Sequence, residues 1–195
     1  MLGANMTGHQ KLKPLVVGRS EIPRCFKGAK NLEVDYDLNK KSWMTSGICE
    51  KWVQKLEKRM IAECRKIALV VDNCPEHPKE INQKLKNVTD FYLPQNTTSK
   101  LQPMDQGVIK NFKIHYRKRI VRKVITALEN NQSRPKINLR ESISEISKAR
   151  NYDVTDRTNR KSFAKAGFFA SNENSASAED EDEFPLEELK KCEYR

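Results

Sequence analysis

Short apolar runs alternate with helically spaced apolar positions along the first third of the chain. Residues 13–18 predict a short strand that ends at a glycine, whereas residues 19–44 have few periodic apolar positions and predict an irregular, basic insertion. A helix is predicted next, because Thr45 or Ser46 can cap it and apolar side chains then recur every three or four positions. This helix should end near Glu63.

A continuous apolar run at residues 67–71 predicts a strand that is buried on both faces of a mainly parallel sheet. A short helix is predicted over residues 78–86, followed by a strand over residues 88–93 that stops at Pro94. Residues 94–104 are rich in Asn, Thr, Ser and Pro and predict a loop. This order of strands and helices indicates an α/β layered fold.

The second half of the chain is predicted to be helical. A long helix should begin at Asp105, because apolar residues follow it at helical spacing for more than 20 positions. Weaker helical patterns cover residues 139–149 and 156–167. Residues 170–195 are rich in Ser, Asn, Ala, Glu and Asp and predict a disordered acidic tail.

The composition narrows the class of protein. No stretch approaches the ~20 apolar residues that a membrane-spanning helix needs, and the first residues lack the basic and apolar blocks of a secretory signal. The five cysteines include no CxxC pair, which favours reduced thiols inside a cell over a zinc ribbon or a disulfide framework. We therefore expect an intracellular protein without a membrane partner or a small-molecule substrate.

The net charge of +11 is unevenly distributed. Residues 179–195 hold eight acids and three bases, so they carry −5 and the rest of the chain carries +16. A body this basic attracts polyanions, of which nucleic acid is the commonest. A ribosomal-type or merely solvated basic surface is the alternative interpretation.

Two aspartates occupy positions where a ligand site is expected. Asp72 directly follows the apolar run 67–71, and the carboxyl ends of parallel strands are where α/β sheets bind ligands. Asp105 opens the long helix, where the helix dipole favours a carboxylate. Two such carboxylates can share a divalent cation. On pattern alone, however, this signal is weak, because an aspartate after a strand is often just a turn former and one before a helix is often just a cap.

Longer motifs around these aspartates resemble the DDE superfamily endonuclease domain, and within it the pogo/Tigger transposase branch that also includes jerky-type proteins and centromere protein B. The two central motifs are LVVDNCPEH at residues 69–77 and YLPQNTTSKLQPMDQGVI at residues 92–109. Further matching stretches lie at residues 4–8, 14–20, 23–27, 41–45 and 165–168. The resemblance covers roughly residues 1–169.

This resemblance implies an RNase H-like fold in which three acids hold two divalent metals, Mg²⁺ or Mn²⁺, for phosphoryl attack on DNA. Carried over to this chain, Asp72 would be the second acid and Asp105 the third. The family's first acid lies on the first, central strand of the sheet, upstream of the segment that matches residues 4–6. We therefore expect an incomplete RNase H-like fold that lacks this strand, and we expect endonuclease and transposase activity to be lost.

Asp35 and Asp37 are the nearest candidates to replace the first acid, but both match the family's insertion region, away from the active site. Without the central strand, the strands that match residues 1–6 and 67–71 lose their shared neighbour. The two halves then close together, recruit another segment or fail to form a stable sheet, and the sequence does not choose between these outcomes.

A cluster of cations follows Asp105 in the predicted long helix. Seven bases fall within 14 residues without one acid: Lys110, Lys113, Arg117, Lys118, Arg119, Arg122 and Lys123. We interpret them as contacts to the phosphate backbone of DNA, although a solvated helix face would have the same pattern. Such clusters also act as nuclear localisation signals, which predicts a nuclear protein. His77 and His115 are interpreted as surface or packing residues.

Three functional hypotheses follow. The favoured one is a transposon-derived, nuclear, DNA-binding protein without catalysis or retained metal. The second is an active metal-dependent endonuclease or strand transferase that upstream sequence or a partner completes. The third is a protein-interaction module, or a fragment without function. Independently of these, the acidic run at residues 179–183 is interpreted by default as a solvating tail, and mimicry of DNA or binding of a basic partner is the alternative. The oligomeric state stays open.

Overall fold

The computed structural model describes residues 1–29, 31–74 and 85–168 of the 195-residue chain. The predicted acidic tail over residues 170–195 therefore lies outside the described residues. The predicted helix over residues 78–86 lies largely outside them as well, and its last two residues, which are described, are not helical. None of the described helices has the length and apolar character that a membrane span requires.

The chain begins with an antiparallel hairpin formed by residues 1–15. Its arms are joined by hydrogen bonds from Asn5 N to Gln10 O (2.9 Å) and from Leu12 N to Gly3 O (2.9 Å). The second arm continues into strand β1 (Leu15–Gly18), which confirms the strand predicted there. The segment 1–6 is thus one arm of a local hairpin.

Strand β2 (Asp35–Leu38) pairs in parallel with β1, so that Leu15 lies opposite Asp35. The prediction that residues 19–44 are irregular throughout was wrong at this strand, and at the short 3₁₀ turn Arg24–Phe26. Two of the four β2 residues are aspartates, which are rare in strands, so the local sequence gives no strand signal. Tertiary contacts form the strand instead.

Helix α1 (Ser46–Ala62) confirms the predicted helix, and the Thr45 side chain accepts a hydrogen bond from Ile48 N at its start. Its buried face packs on the second sheet. That sheet consists of β3 (Ile67–Val71) and β4 (Val88–Tyr92), which pair in parallel with Ile67 opposite Val88. The buried residues of this face and the adjoining core are Cys49, Val53, Leu56, Met60 and Val88.

The prediction that β3 is buried on both faces was wrong. None of its five residues is fully buried and Ala68 is exposed, because among the described residues β3 has a single paired strand. The described strands form two separate two-stranded parallel sheets. The α/β class is confirmed, whereas the RNase H-like arrangement and its missing central strand stay predictions.

Glu57 connects α1 to the start of β4. Its buried carboxylate accepts backbone hydrogen bonds from Lys86, Asn87 and Val88 at 2.8–3.1 Å. Burial alone would raise the pKa of Glu57, but these hydrogen bonds outweigh it and the pKa is lowered. The side chain therefore stays ionised and fixes the register of β4 against the helix.

The rest of the described chain is helical. The predicted loop 94–104 contains one helical turn, and the long helix begins with a π-helical turn that includes Asp105. In chain order the elements are α2 (Thr98–Leu101), the π-helical turn Met104–Val108, α3 (Ile109–Glu129), α4 (Leu139–Lys148), a second π-helical turn Ala149–Asp153 and α5 (Asp156–Lys165). These confirm the helices predicted from Asp105 and near residues 139–149 and 156–167.

Hydrogen bonds join the N-terminal hairpin to the helical half of the described chain. Fully buried Arg150 donates hydrogen bonds to Gly3 O (2.8 Å) and to the Asn159 side chain (3.3 Å). Lys11 Nζ donates to Val154 O at 2.6 Å. Because these contacts join the first residues of the chain to the last helix, the two halves of the described structure pack together.

Candidate nucleic-acid and metal site

The carboxyl ends of β3 and β4 open into a cleft of about 570 Å³. Asp72 lies at this edge directly after β3, as its position in the sequence predicted. The opposite wall comes from the loop after β4 and from helix α2. The residues that line the cleft are Asp72, Asn73, Cys74, Pro94, Gln95, Asn96, Thr98 and Ser99.

Asp105 lies beside this cleft in the first helical turn before α3. A hydrogen bond holds its turn against helix α2, since Gln106 Nε2 donates to Ser99 O at 2.6 Å. Burial of its carboxyl group and the negative charge of Asp72 raise the pKa of Asp105, while nearby Lys113 lowers it. Asp72 and Asp105 are thus close enough to repel each other.

Mutually repelling carboxylates favour a cation between them. Mg²⁺ and Mn²⁺ prefer oxygen ligands, and the cleft adds amide and hydroxyl oxygens from Asn73, Asn96 and Thr98. The donor chemistry of these side chains therefore suits a divalent cation. Across residues 1–29, 31–74 and 85–168, no group of three or more His, Cys, Asp or Glu side chains is arranged to hold a metal.

A buried carboxylate on β4, opposite Leu69 of β3, was missed in the sequence. Asp90 in β4 is buried, and a hydrogen bond joins its carboxylate to the Tyr92 hydroxyl. Burial raises the pKa of Cys49 to about 11, and the charges of Asp90 and Asp72 add to that shift. Only the two-residue period of β4, which puts Asp90 on the same face as buried Val88, could have indicated that this carboxylate faces the core.

The seven cations of the basic cluster separate into two groups. Lys110, Lys113 and Arg117 are exposed, and they are spaced so that they share one face of α3. Lys118 and Arg122 are also exposed. This surface of five cations, which we call the cationic face, begins five residues after Asp105.

Arg119 and Lys123 are engaged in ion pairs within the fold. Arg119 makes a bidentate contact with Asp153, from Nε to Oδ2 at 2.5 Å and from Nη2 to Oδ1 at 2.9 Å. Lys123 Nζ lies 3.0 Å from Oε1 of buried Glu145, which also receives Lys148 at 3.2 Å. These two cations attach α3 to α4 and to the turn after it.

The remaining candidate residues lie away from the cleft. Asp35 and Asp37 pair with two lysines of α1, Lys55 at 2.5 Å and Lys51 at 3.8 Å. His115 is half-buried near Asp153, whose pKa it helps to lower. His77 lies outside the described residues.

The chain matches a known protein family over most of its length. Residues 1–163 match the model of the DDE superfamily endonuclease family. Tigger transposable element-derived protein 4 of Mus musculus is 41% identical over 131 residues, which is 67% of this chain and 25% of that protein. Jerky protein homolog of Homo sapiens is 32% identical over 121 residues, or 57% of this chain and 22% of that protein.

Major centromere autoantigen B of Homo sapiens is 33% identical over 129 residues, which is 66% of this chain and 20% of that protein. The chain thus spans about a fifth to a quarter of the length of these curated relatives. No solved structure matches it significantly.

Proposed function

The chain belongs to the DDE superfamily endonuclease family, and from this membership we propose that it binds DNA through the cationic face of α3, beside the cleft of Asp72 and Asp105. The relatives support a nucleic-acid partner, since two of them are named for a transposable element or for the centromere. The same names, and the cluster of lysines and arginines, support a nuclear location.

One observation carries this proposal: exposed cations and the paired carboxylates share one surface. Lys113 is close enough to Asp105 to lower its pKa, and Lys110 and Arg117 extend the same helix face. A phosphate backbone that contacts these three side chains would therefore pass the cleft. Contacts of this kind position DNA without reading its sequence.

Divalent metals are typical of this superfamily, and Asp72 and Asp105 are the residues that would hold one here. A bound cation would supply Lewis acidity toward a phosphoryl oxygen. Asp72 and Asp105 would orient such an ion, and the cationic face would hold the phosphate backbone near it. Because the pKa of Asp105 is raised, metal binding should weaken as the pH falls and this carboxyl group takes up a proton.

We also propose that this chain alone does not cleave DNA. Two-metal catalysis clamps both the attacking and the leaving oxygen, whereas one carboxylate, Asp72, lines the described cleft and a second, Asp105, lies beside it, which suits one weakly held ion. Incubation of supercoiled plasmid with the chain and Mn²⁺ should leave the plasmid intact. Metal-dependent nicking that Asp72→Ala abolishes would instead support the active endonuclease.

DNA binding is tested by fluorescence anisotropy with a labelled duplex over a salt series from ~50 mM upward. The triple variant Lys110→Gln, Lys113→Gln, Arg117→Gln should bind at least about tenfold more weakly, and the slope of log K against log salt should fall by about 3, one for each lost phosphate contact. The control variant has the same net charge but changes three exposed lysines elsewhere: Lys27→Gln, Lys58→Gln and Lys66→Gln.

The two triple variants separate local contact from overall charge. If both lose the same affinity and the same salt slope, the cationic face is not the binding surface. If the wild-type chain itself binds no duplex at ~50 mM salt, where phosphate contacts are strong, the proposed function is refuted.

A further inference from the structure

We propose that the chain's own acidic segment, residues 179–189, docks along α3 and competes with DNA for the cationic face. This inference rests on the proposed function, because it names what regulates that same surface. Residues 179–189 lie outside the described residues, so their charge and order come from the sequence, whereas the surface that receives them is part of the described fold.

The first observation is the arrangement of the exposed face of α3. Lys110, Lys113 and Arg117 follow one another at spacings of three and four, and the same stripe continues with apolar residues. Val121, Ile125 and Leu128 are 37%, 38% and 50% exposed. The helix thus presents exposed cations in its N-terminal half and partly exposed apolar side chains in its C-terminal half.

The second observation is that the acidic segment carries the complementary features in the same order. Five consecutive acids come first: Glu179, Asp180, Glu181, Asp182 and Glu183. Three apolar residues follow them: Phe184, Leu186 and Leu189. If the segment runs parallel to α3, its acids meet the cations and its apolar residues cover the exposed apolar stripe.

The two stretches also have similar lengths. From Lys110 to Leu128 the helix rises by about 27 Å. Residues 179–189 in extended form span about 33 Å. Both parts of the segment can therefore reach their counterparts at the same time.

The third observation is the place where the described chain ends. Helix α5 packs closely against the π-helical turn before α3. If Gly107 carried a Cβ atom, that atom would lie only 3.0 Å from Ser162 Oγ. Phe168, the last described residue, contacts Phe163 of the same helix with ring centroids 5.9 Å apart. The ten residues from 169 to 178 can extend over about 33 Å, so they can bring the acids to the N-terminal end of α3.

Docking would lower the apparent affinity for DNA without changing the fold. If the segment covers the cationic face nine-tenths of the time, only a tenth of the molecules are competent to bind and the apparent Kd rises about tenfold. Salt would weaken the docked state and the DNA complex alike, because both depend on the same cations.

The experiment compares the full chain with two variants of the segment, both outside the residues that match the family model. The first replaces the five acids as E179Q, D180N, E181Q, D182N and E183Q, and it should bind DNA about tenfold more tightly at ~100 mM salt. The second, F184S, L186S and L189S, leaves the charge unchanged and should also bind DNA more tightly, by about threefold, because it loses the apolar part of the contact.

The charge-neutral variant separates docking from long-range repulsion between acids and DNA. If its affinity equals that of the wild type while only the five-acid variant gains, repulsion accounts for the effect and the docking proposal is overturned. If neither variant gains affinity, the docking proposal fails and DNA binding stands.

A measurement without DNA makes docking independent of the proposed function. Amide chemical shifts of residues 110–128 should differ between the wild type and the five-acid variant, and those of α1 should not. If these shift differences appear but the chain binds no DNA, docking is supported and the proposed function is refuted. Identical α3 shifts in both proteins would overturn docking whatever the DNA result.

Discussion

Asp105 is a carboxylate whose surroundings disfavour its charge. Burial of the carboxyl group and the nearby charge of Asp72 raise its pKa, so the folded chain bears a cost whenever Asp105 is ionised. Such a cost is usual for groups that are retained for binding rather than for stability. Removing the charge of Asp105 should therefore stabilise the folded chain.

The isosteric change Asp105→Asn should raise the melting temperature at pH 7, because it removes the repulsion from Asp72. The residue as a whole is exposed, so solvent screens much of this repulsion and the gain should stay below about 1 kcal/mol. The gain should shrink as the pH falls through the raised pKa of Asp105, where the wild-type carboxyl group becomes neutral too. Calorimetry from pH 7 to pH 3 measures both effects.

Glu129→Gln, at the far end of α3, controls for the general loss of one negative charge. A lower melting temperature for Asp105→Asn than for this control would show that the carboxylate stabilises the fold.

The pKa of Glu57 is shifted in the opposite direction, because its hydrogen bonds favour the ionised form. Glu57→Ala should lower the free energy of unfolding by about 3 kcal/mol, because it leaves three backbone donors of Lys86, Asn87 and Val88 without their acceptor. Urea unfolding followed by circular dichroism measures the change. Glu50→Ala on the same helix removes one exposed hydrogen bond with Gln54 and should cost less than about 1 kcal/mol.

Equal losses in the two variants would mean that Glu57 does not fix the start of β4. Because its folded pKa is depressed, the stabilising contribution of Glu57 is present above the ordinary carboxylate range and disappears as the pH falls through the folded pKa.

Single residues were predictable from sequence where local context decides their position. Asp72 follows an unambiguous apolar run and Asp105 opens an amphipathic helix, so the sequence alone was enough to assign both positions. Asp90 and Glu57 could not be assigned in this way. Their roles depend on which distant backbone or side chain packs against them, and no local pattern encodes that.

The cations of helix α3 fall into two groups that differ in exposure and in contacts. Its exposed side chains form the cationic face, whereas Arg119 and Lys123 hold it against α4 and the turn after it. Sequence spacing placed all seven bases in one cluster. It could not separate them, because the distinction depends on the acids of later elements.

Arg119→Gln should therefore destabilise the chain by about 2–4 kcal/mol, because half-buried Asp153 loses its bidentate partner and buried Glu145 loses one of its three cations. Lys113→Gln should leave the melting temperature within about 1 °C and weaken DNA binding instead. Thermal denaturation and duplex binding of the two variants are the paired measurements. Unchanged stability in Arg119→Gln would return Arg119 to the candidate DNA contacts.

The ion pair between Arg119 and Asp153 also predicts that the stability of the fold depends on pH in the acidic range. Hydrogen bonding from Arg119 lowers the pKa of Asp153, so its contribution is complete above the ordinary pKa of an aspartate and is lost as the pH falls through the lowered value. The difference in stability between the wild type and Arg119→Gln should accordingly narrow below about pH 4.

Elements with a strong local period could be predicted, and others could not. The helical repeat indicated α1 and α3, and the β-branched run indicated β3. Strand β2 has two aspartates among its four residues, and α2 is a single turn inside a polar loop. Both form because neighbouring elements pack against them, so propensity alone misses them.

At the scale of the whole molecule, the α/β class was predictable and the assembly of the strands was not. The described residues contain two separate parallel pairs, linked by α1, which packs on one sheet and forms ion pairs with the other. Which strands meet depends on packing partners far apart in the sequence. The whole molecule also combines a basic body with an acidic C-terminal segment, and this asymmetry underlies both proposals.

The central claim is that DNA lies along the cationic face of α3 and passes the Asp72–Asp105 cleft. The most direct measurement is an amide chemical-shift titration of the full chain with a short duplex at ~100 mM salt, where phosphate contacts persist. We expect the largest changes at residues 104–118 and at residues 72–74 beside the cleft. Changes confined to the basic insertion at residues 19–44, with α3 unaffected, would contradict the account.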